Sequence, residues 1–273
     1  MITFPNAKIN LGLNIVSRRP DGYHNIETVF YPIPLTDSLE IVPAEGSEST
    51  LTCYGRVVDC PTEKNLVMKA YRMMEKEFGL PPVDIYLVKH IPDGAGLGGG
   101  SSDASFCMKM LNDMFKLDCT DEQLAKMASK IGADCPFFIH NKPMMATGIG
   151  DEFTPTDVCL KGKHMLLVKP DVSVPTKAAY AQVTPAPSAK PIPEILSDGM
   201  ENWQKELVND FEKSVFAQYP SLAEIKRTLL ESGASYAAMS GSGSSIFGIF
   251  SCAEMAEKAA DHFKEYSHFV IQL

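Results

Sequence analysis

The segment from Gly94 to Gly100 contains five glycines and is followed directly by Ser101, Ser102 and Asp103. Glycine allows positive φ angles and a close approach of the backbone to a ligand. Backbone amides at the start of a helix, together with the helix dipole, attract anions. The segment is therefore suited to bind a triphosphate at a helix start. The hydroxyl of Ser101 or Ser102 could contact phosphate or Mg²⁺, or these residues could cap the helix.

The residues on either side of the glycines predict the elements that hold them. Residues 83–91 have the alternation of a strand, and after the glycines Cys107, Leu111 and Phe115 fall on one helical face. No Gly-Lys-Ser/Thr follows, so this is not a Walker A loop. The glycine spacing also fits a dinucleotide-binding pattern, but no acidic residue stands at a strand end about 20 residues later. A tight strand-to-helix turn without a ligand is the remaining alternative.

A second candidate lies near the N-terminus, where residues 8–15 alternate strictly between polar and apolar types. This pattern predicts a strand that turns Ile9 and Leu11 towards a core. Lys8 and Asn10 then share the opposite face. That face is either exposed to solvent or one wall of a cleft, and residue types alone leave both interpretations open.

Asp134 is the third candidate, because it precedes Pro136 in a segment that is otherwise apolar. A lone carboxylate in such surroundings needs a partner or a chemical role. The ordinary alternative is an aspartate that caps or orders a turn. Five histidines show no spacing typical of metal ligands and are interpreted as structural: His90, His140, His164, His262 and His268.

Periodicity predicts the remaining elements along the chain. Strands are expected at 36–42, 50–54 and 268–272, and two short strands should flank the loop 240–245. Helices are expected at 65–78, 120–131 and 253–265, and another should end near Gly233. Thr120 and Ser221 each begin a capping-box pattern, and the proline-rich stretch 185–193 predicts a surface loop. A soft boundary near residues 154–162 divides the chain into predicted domains of residues 1–157 and 158–273.

Composition limits the class of protein. The chain has 273 residues, 45% hydrophobic residues and a formal net charge of −9, which favours a globular fold and argues against a general nucleic-acid binder. Its seven cysteines include no CxxC pair and suggest reduced thiols. The N-terminal residues lack the layout of a signal peptide, and no apolar run approaches the ~20 residues of a membrane span. We therefore expect a cytoplasmic protein without nucleic-acid or membrane partners.

Three motifs, in this order along the chain, resemble those of the GHMP kinases. They are Pro5-x-Ala-Lys-Ile-Asn-Leu-x-Leu13, Pro92-x-x-x-Gly-Leu-Gly-Gly-Gly-Ser-Ser-x-Ala104 and Ser240-Gly-Ser-Gly-Ser-Ser245. The resemblance implies an α+β fold with two lobes. The N-terminal lobe would resemble ribosomal protein S5 domain 2, the C-terminal lobe would be ferredoxin-like, and the active site would lie in the cleft between them. It also implies ATP with Mg²⁺, and transfer of a phosphoryl group to an alcohol.

Three further segments resemble GHMP kinases whose substrate is a methylerythritol that carries cytidine diphosphate. These are residues 19–24, 132–138 and 209–212. The resemblance implies phosphorylation of the tertiary 2-hydroxyl in the non-mevalonate route to isoprenoid precursors. The stretch 181–200 matches no segment of these kinases. A monomer or a weak homodimer is expected.

The resemblance also assigns roles to residues. Lys8 and Asp134 would be catalytic, with Asp134 acting as a general base or orienting the hydroxyl. Nucleotide binding would fall to Asn65, Leu66, Pro92, Asp93, Gly94, Ala95, Gly96, Leu97, Gly98, Gly99, Gly100, Ser101 and Ser102. Substrate binding would fall to Asn10, Tyr23, His24, Tyr180 and Gly241. Mg²⁺ would have no dedicated ligand set and would be held through ATP, with Ser101 or Ser102.

Some of these roles have structural alternatives. Tyr180 could be a core residue of a helix, and Asn65 and Leu66 could simply begin one. Two other functions remain open. One is a GHMP kinase for mevalonate, phosphomevalonate or homoserine, and the other is a nucleotide sensor without catalysis. The presence of both Lys8 and Asp134 speaks against the sensor.

Overall fold

The computed structural model describes residues 1–56 and 60–273, which form two compact units. The first unit comprises residues 1–7, 35–93 and 98–142, and the second comprises residues 8–34, 94–97 and 143–273. The predicted division into residues 1–157 and 158–273 stays a prediction.

The strands are β1 (Ile2–Thr3), β2 (Asn6–Arg18), β3 (His24–Thr36), β4 (Ser38–Pro43), β5 (Thr50–Gly55), β6 (Val83–Lys89), β7 (Met144–Thr147), β8 (Glu152–Pro155), β9 (His164–Lys169), β10 (Tyr236–Met239), β11 (Ile246–Phe250) and β12 (Ser267–Gln272). The α-helices are α1 (Leu66–Phe78), α2 (Gly99–Phe115), α3 (Asp121–Ala128), α4 (Cys135–His140), α5 (Thr176–Ala181), α6 (Ile192–Ser197), α7 (Met200–Glu206), α8 (Phe211–Gln218), α9 (Pro220–Glu231) and α10 (Ala253–Ala260).

The first unit combines one sheet with helices α1 to α4. Its strand order is β1-β4-β6-β5, with β5 parallel to β6 and the other pairs antiparallel. Alternate residues of β6 are buried, as its sequence pattern predicts. Ile85 of this strand joins Met74 of α1 and Leu111 of α2 in one apolar core. This core supports the start of α2, where the glycine segment ends.

The second unit contains two sheets, ordered β2-β3-β7-β8 and β10-β11-β9-β12. The latter is antiparallel throughout, with α9 before β10 and α10 between β11 and β12. This β-α-β-β-α-β arrangement is that of a ferredoxin-like fold, as the family resemblance implies for the C-terminal part. Leu229 of α9 and Ala256 of α10 pack with Ile246 in its core.

Several sequence predictions hold closely. The strand at 8–15 lies within β2, the helix at 65–78 is α1, and the two short strands around residues 240–245 are β10 and β11. Thr120 and Gln123 make the predicted capping box of α3, although that helix ends at Ala128 rather than at residue 131. These elements carry strong local signals, which explains the agreement.

Two capping predictions are wrong. Ser221 does not cap α9, because Pro220 occupies the first helical position and places Ser221 inside the helix. Likewise α2 begins at Gly99, so Ser101, Ser102 and Asp103 lie within it rather than before it. In both cases the helix starts earlier than the polar side chains suggest.

Other elements were missed by the sequence analysis. Strand β3 contains Pro32 and Pro34, which argue against a strand, but both lie beyond the residues that pair with β7. Helix α4 has only six residues and five of them are buried, so its sequence shows no amphipathic pattern that would predict a helix. The predicted surface loop 185–193 runs into α6, whose first residue, Ile192, is buried. Within the described residues, the structure has no helix of the length and apolar character needed to cross a bilayer.

Candidate active site

The start of α2 is open to an anion. Gly98 is its N-cap residue with a φ of 72°, and the described residues provide neither a side-chain cap nor an acidic residue in its first turn. The first helical bond there joins the Ser102 amide to the Gly98 carbonyl over 2.9 Å. The preceding amides thus point out of the helix without a capping side chain, and they can donate to phosphate oxygens.

The first half of the glycine segment is fixed by backbone contacts within the second unit. The Lys8 amide donates to Leu97 O over 3.0 Å, and the Ser245 amide donates to Ala95 O over 3.3 Å. The Ser240 hydroxyl donates to Gly96 O over 2.8 Å. A Cβ atom on Gly96 would lie only 2.0 Å from Ser240 O, so this position requires glycine. The second and third motifs therefore meet backbone to backbone.

Lys8 lies in a buried polar network on β2. Its ammonium donates to Asn10 Oδ1 over 2.7 Å and lies 4.5 Å from the centre of the Phe30 ring. Asn10 in turn donates to Thr28 Oγ1 over 2.9 Å. Lys8 is 4% exposed and Asn10 is 2% exposed, which excludes the solvent-exposed interpretation of this strand face. Thr28 was missed by the sequence analysis because β3 was not predicted.

Gly241, in the third motif, lies beside this network. A Cβ atom there would be 3.5 Å from Asn10 Oδ1 and 3.3 Å from Gly96 Cα, and its φ of 57° favours glycine. The structure thus brings together Lys8, Asn10, Gly241 and the first half of the glycine segment. All of them belong to the second unit.

Asp134, in the first unit, holds the N-cap position of α4. Its side chain makes no hydrogen bond to the helix amides within the described residues, and it is half-buried. The four residues after Cys135, from Pro136 to Ile139, are buried. The simple capping interpretation of Asp134 therefore does not describe its side chain. The Asp134 carboxylate lies at the N-terminal end of an apolar helix but does not cap it.

A buried ionic cluster lies below the start of α2. The Lys89 ammonium donates to Asp103 Oδ2 over 2.6 Å and also to Asp37 Oδ2. Asp37 further accepts the Ile91 amide over 2.8 Å. A Cβ atom on Gly99 would lie 3.3 Å from Lys89 Nζ, which places this cation next to the open helix start.

The pKa of Asp103 reflects this position. Burial raises it from 3.8 to about 7, while Lys89 acts to lower it and Asp37 to raise it. The sequence analysis missed the cluster as a unit. One signal was present, because Asp103 precedes Cys107 by four residues and so lies on the buried face of the helix.

The aromatic residues predicted to contact a cytosine base, Tyr23, His24 and Tyr180, have different surroundings. The His24 and Tyr180 rings are stacked at 5.0 Å and 19°, and Tyr180 also meets Phe211 edge-on at 4.8 Å. Tyr23 is 61% exposed. Two rings already in stacking contact leave no room for a third ring between them. A pyrimidine would therefore contact this pair from outside rather than insert between the two rings.

Asn65 and Leu66 show the structural role that the sequence left open. Asn65 Oδ1 accepts the Val67 amide over 2.9 Å and so caps α1, and Leu66 packs partly against the core. A role in nucleotide binding stays a prediction. The described residues contain no group of three or more His, Cys, Asp or Glu suited to a metal ion, and the seven cysteines are free thiols.

The fold and the motifs define a class of small-molecule kinase. A family model described as the GHMP kinases N terminal domain matches residues 65–142, and one described as GHMP kinases C terminal matches residues 189–268. The solved mevalonate kinase of Methanococcus jannaschii shares the fold, with a TM-score of 0.75 at 15% identity over 100% of this chain and 98% of its own. The chain belongs to the GHMP kinase family.

Two proteins have a higher sequence identity to this chain than that mevalonate kinase has. A protein of Bacteroides fragilis named 4-diphosphocytidyl-2-C-methyl-D-erythritol kinase is 56% identical over 260 residues, which cover 94% of this chain and 95% of that protein. A solved structure titled 4-(cytidine 5'-diphospho)-2C-methyl-D-erythritol kinase has a TM-score of 0.85 at 31% identity. It covers 99% of this chain and 98% of its own. Both similarities extend over nearly the whole chain.

Proposed function

We propose that this protein transfers the γ-phosphoryl group of ATP to the 2-hydroxyl of 4-diphosphocytidyl-2-C-methyl-D-erythritol, a step in the non-mevalonate route to isoprenoid precursors. The observation that carries the kinase chemistry is the start of α2, where glycine replaces a capping side chain and no carboxylate occupies the first turn. The substrate is supported by the 56% identity to a kinase named for it. We expect the enzyme to act in the cytoplasm, as a monomer or a weak homodimer.

The nucleotide would bind along the glycine segment. Backbone amides at the start of α2 would donate to phosphate oxygens, and the positive end of the helix dipole would add favourable potential. Ser102 Oγ is buried and makes no hydrogen bond within the described part of the chain, and Ser101 precedes it on the same turn. A hydroxyl in this position fits a role toward Mg²⁺ bound to the phosphates. The metal would neutralise charge that develops on the transferred group.

Lys8 and Asp134 are the proposed catalytic residues. The transition state of phosphoryl transfer is loose, so the attacking hydroxyl needs little deprotonation before the new bond forms. Asp134 would orient this hydroxyl and accept its proton late in the reaction. The Lys8 ammonium would stabilise negative charge on the reacting oxygens. Asn10 holds Lys8 through the 2.7 Å hydrogen bond and would contact the substrate hydroxyls.

The cytidine end would bind at His24 and Tyr180. Their stacked rings form a preformed apolar surface, and the exposed Tyr23 offers a further ring for the base. The imidazole can also form a hydrogen bond to the edge of a pyrimidine. Gly241 allows the third motif to approach the substrate closely, because no side chain occupies that space.

An ADP-release assay tests this proposal. The purified chain is incubated with ATP, Mg²⁺ and either the cytidyl substrate, mevalonate or homoserine. We expect ADP release only with the cytidyl substrate. Turnover of mevalonate or homoserine instead would assign the chain to another GHMP activity. ATP binding without turnover of any of the three would support a sensor.

A further inference from the structure

The segment that follows α5 resembles no family motif, yet it is firmly attached to the sheet of the second unit. We define the strap as residues 182–191, which connect α5 to α6. It contains Pro185, Pro187 and Pro191. Proline fixes φ and stiffens an extended segment. A stiff connection transmits the position of an anchor to the residues next to it.

The anchor of the strap is Ser188. Its hydroxyl donates to Glu27 Oε2 over 2.7 Å and accepts a hydrogen bond from Asn14 Nδ2 over 3.0 Å. A second bond joins the Ala186 amide to Ile15 O over 3.0 Å. Glu27 lies on β3, and the other two partners lie on β2. Ser188 therefore uses its donor and an acceptor position to link the strap to two strands.

Packing contributes less to this attachment. A cavity of about 430 Å³ lies between the strap and the sheet, with Pro187 and Ser188 on one side and Val16, Glu27 and Met145 on the other. The strap thus does not pack closely on the sheet around Pro187 and Ser188, whereas Val183 at its start packs against the core of the second unit. The hydrogen bonds at Ser188 and Ala186 are the described contacts that hold its middle part in place.

The same strand carries one ring of the proposed base site. His24 precedes Glu27 by three residues on β3, and Tyr180, which stacks on His24, lies in α5 just before the strap. The other end of α5 is linked to the third motif, because Thr176 Oγ1 lies 3.1 Å from Ser242 Oγ in hydrogen-bond contact. Helix α5 is therefore held at both ends, and Tyr180 sits between the two attachments.

From this geometry we infer that Ser188 is a positioning residue for the base site and a determinant of specificity for the cytidine diphosphate group. The inference rests on the proposed function. Ser188 acts through Tyr180: it holds the strap on β2 and β3, and thereby keeps the Tyr180 ring against His24. Without the anchor, α5 samples more orientations, and binding a base must order them again at a cost in affinity.

The test compares three variants with the wild type: Ser188→Ala, Ser188→Thr and Ser197→Ala. Ser188→Ala removes the anchor, and Ser188→Thr keeps the hydroxyl. Ser197→Ala is the matched control, because the hydrogen bond described for that hydroxyl lies within α6, to Glu194 O at 2.8 Å. Calorimetry measures the affinity for cytidine 5'-diphosphate with the ATP site saturated by a non-hydrolysable ATP analogue. Turnover with the cytidyl substrate gives KM and kcat, and thermal unfolding checks that each variant folds.

We expect Ser188→Ala to weaken cytidine 5'-diphosphate binding by about three- to tenfold, and to raise KM for the cytidyl substrate by a similar factor. The KM for ATP and kcat should stay within about twofold. Ser188→Thr should restore the affinity, and Ser197→Ala should match the wild type. A merely structural role would instead lower the unfolding temperature without separating the two substrates.

Three results would overturn the inference. They are an unchanged affinity of Ser188→Ala for cytidine 5'-diphosphate, an equal loss of affinity for the ATP analogue, and a wild type that does not bind cytidine 5'-diphosphate. A wild type that binds cytidine 5'-diphosphate but releases no ADP with the cytidyl substrate would reject the proposed function. In that case the calorimetric comparison of the variants still decides whether Ser188 positions the base site.

Discussion

Four helices of the first unit begin in two different ways. In α1 and α3 the chain closes the helix start itself: Asn65 accepts the Val67 amide, and Thr120 and Gln123 form a complete capping box. In α2 and α4 the N-cap positions hold Gly98 and Asp134, and neither helix has a side-chain cap among the described residues. Acidic residues in the first turn set α3, which has two, apart from the other three helices, which have none.

This difference in capping relates to stability and to the proposed roles of the helix starts. A capping side chain contributes roughly 0.5–2 kcal/mol to stability, so a helix without one gives up that contribution. The two helix starts without caps contain the residues proposed for phosphate binding and for catalysis. At both helix starts, the groups proposed for phosphate binding and catalysis are thus not engaged in a side-chain capping bond. Four substitutions test this conclusion.

The largest effect is expected for Asp134→Asn. The amide cannot accept the proton of the substrate hydroxyl, so kcat should fall by about 10²–10⁴-fold. ATP affinity and the unfolding temperature should stay near those of the wild type, because the carboxylate is not the cap of α4. Steady-state kinetics, nucleotide titration and thermal unfolding measure the three quantities. Asp121→Asn, in the first turn of α3, is the control and should keep full activity. Retained turnover in Asp134→Asn would remove this residue from the mechanism.

Gly100→Asp should make the start of α2 resemble that of α3. A Cβ atom at Gly100 meets only Leu66 Cδ1, at 3.6 Å, so the substitution fits sterically. The new carboxylate repels a triphosphate at this helix start, and KM for ATP should rise by about 100-fold. Gly100→Ala is the matched control and should have a small effect. An unchanged KM in Gly100→Asp would mean that the phosphates do not bind at this turn.

Asp103→Asn addresses the carboxylate buried inside α2. Because burial raises the pKa of Asp103 from 3.8 to about 7, its proton stabilises the fold fully below about pH 4. That contribution is lost as the pH rises to about 7. Between these pH values the free energy of unfolding of the wild type should fall relative to that of the variant by on the order of 4 kcal/mol. Urea unfolding at several pH values measures the difference. Parallel curves for the two proteins would contradict the raised pKa.

The smallest effect is expected for Thr120→Ala. It removes the side chain that accepts the Gln123 amide, at 3.3 Å, and should lower the free energy of unfolding by about 1 kcal/mol. ADP release should not change, because α3 contributes no proposed site residue. Chemical unfolding and the kinase assay measure both. A loss of activity without a loss of stability would contradict a purely stabilising role for the start of α3.

The sequence predicts what depends on near neighbours. The capping box of α3 and the alternating patterns of β2 and β6 are local, and the structure contains the box and both strands, although both faces of β2 are buried. Strand β3 was missed because Pro32 and Pro34 obscure its pattern, and because one of its two neighbours in the sheet, β7, begins 108 residues beyond its end. Helix α4 was missed because six residues are too few to show a period.

The candidate site divides in the same way. The motifs indicated Lys8, Asn10 and the glycine segment, because residue type and spacing identify them directly. The links around the site, such as Asn10 to Thr28 and Lys89 to Asp37, join residues that are 18 and 52 positions apart in sequence. No local pattern records such a contact. The sequence therefore indicates the chemistry of the site better than the contacts that support it.

The contact between Gly96 and Ser240 has a consequence for biosynthesis. These residues are 144 positions apart, and a ribosome adds about 5–20 residues per second. On the order of 10 s therefore pass between the emergence of the glycine segment and that of the loop that holds it. A nascent chain released before Ser240 would contain this segment without the Ser240 hydroxyl that donates to Gly96 O. The nucleotide binding proposed for this segment should thus become possible only when translation is nearly finished.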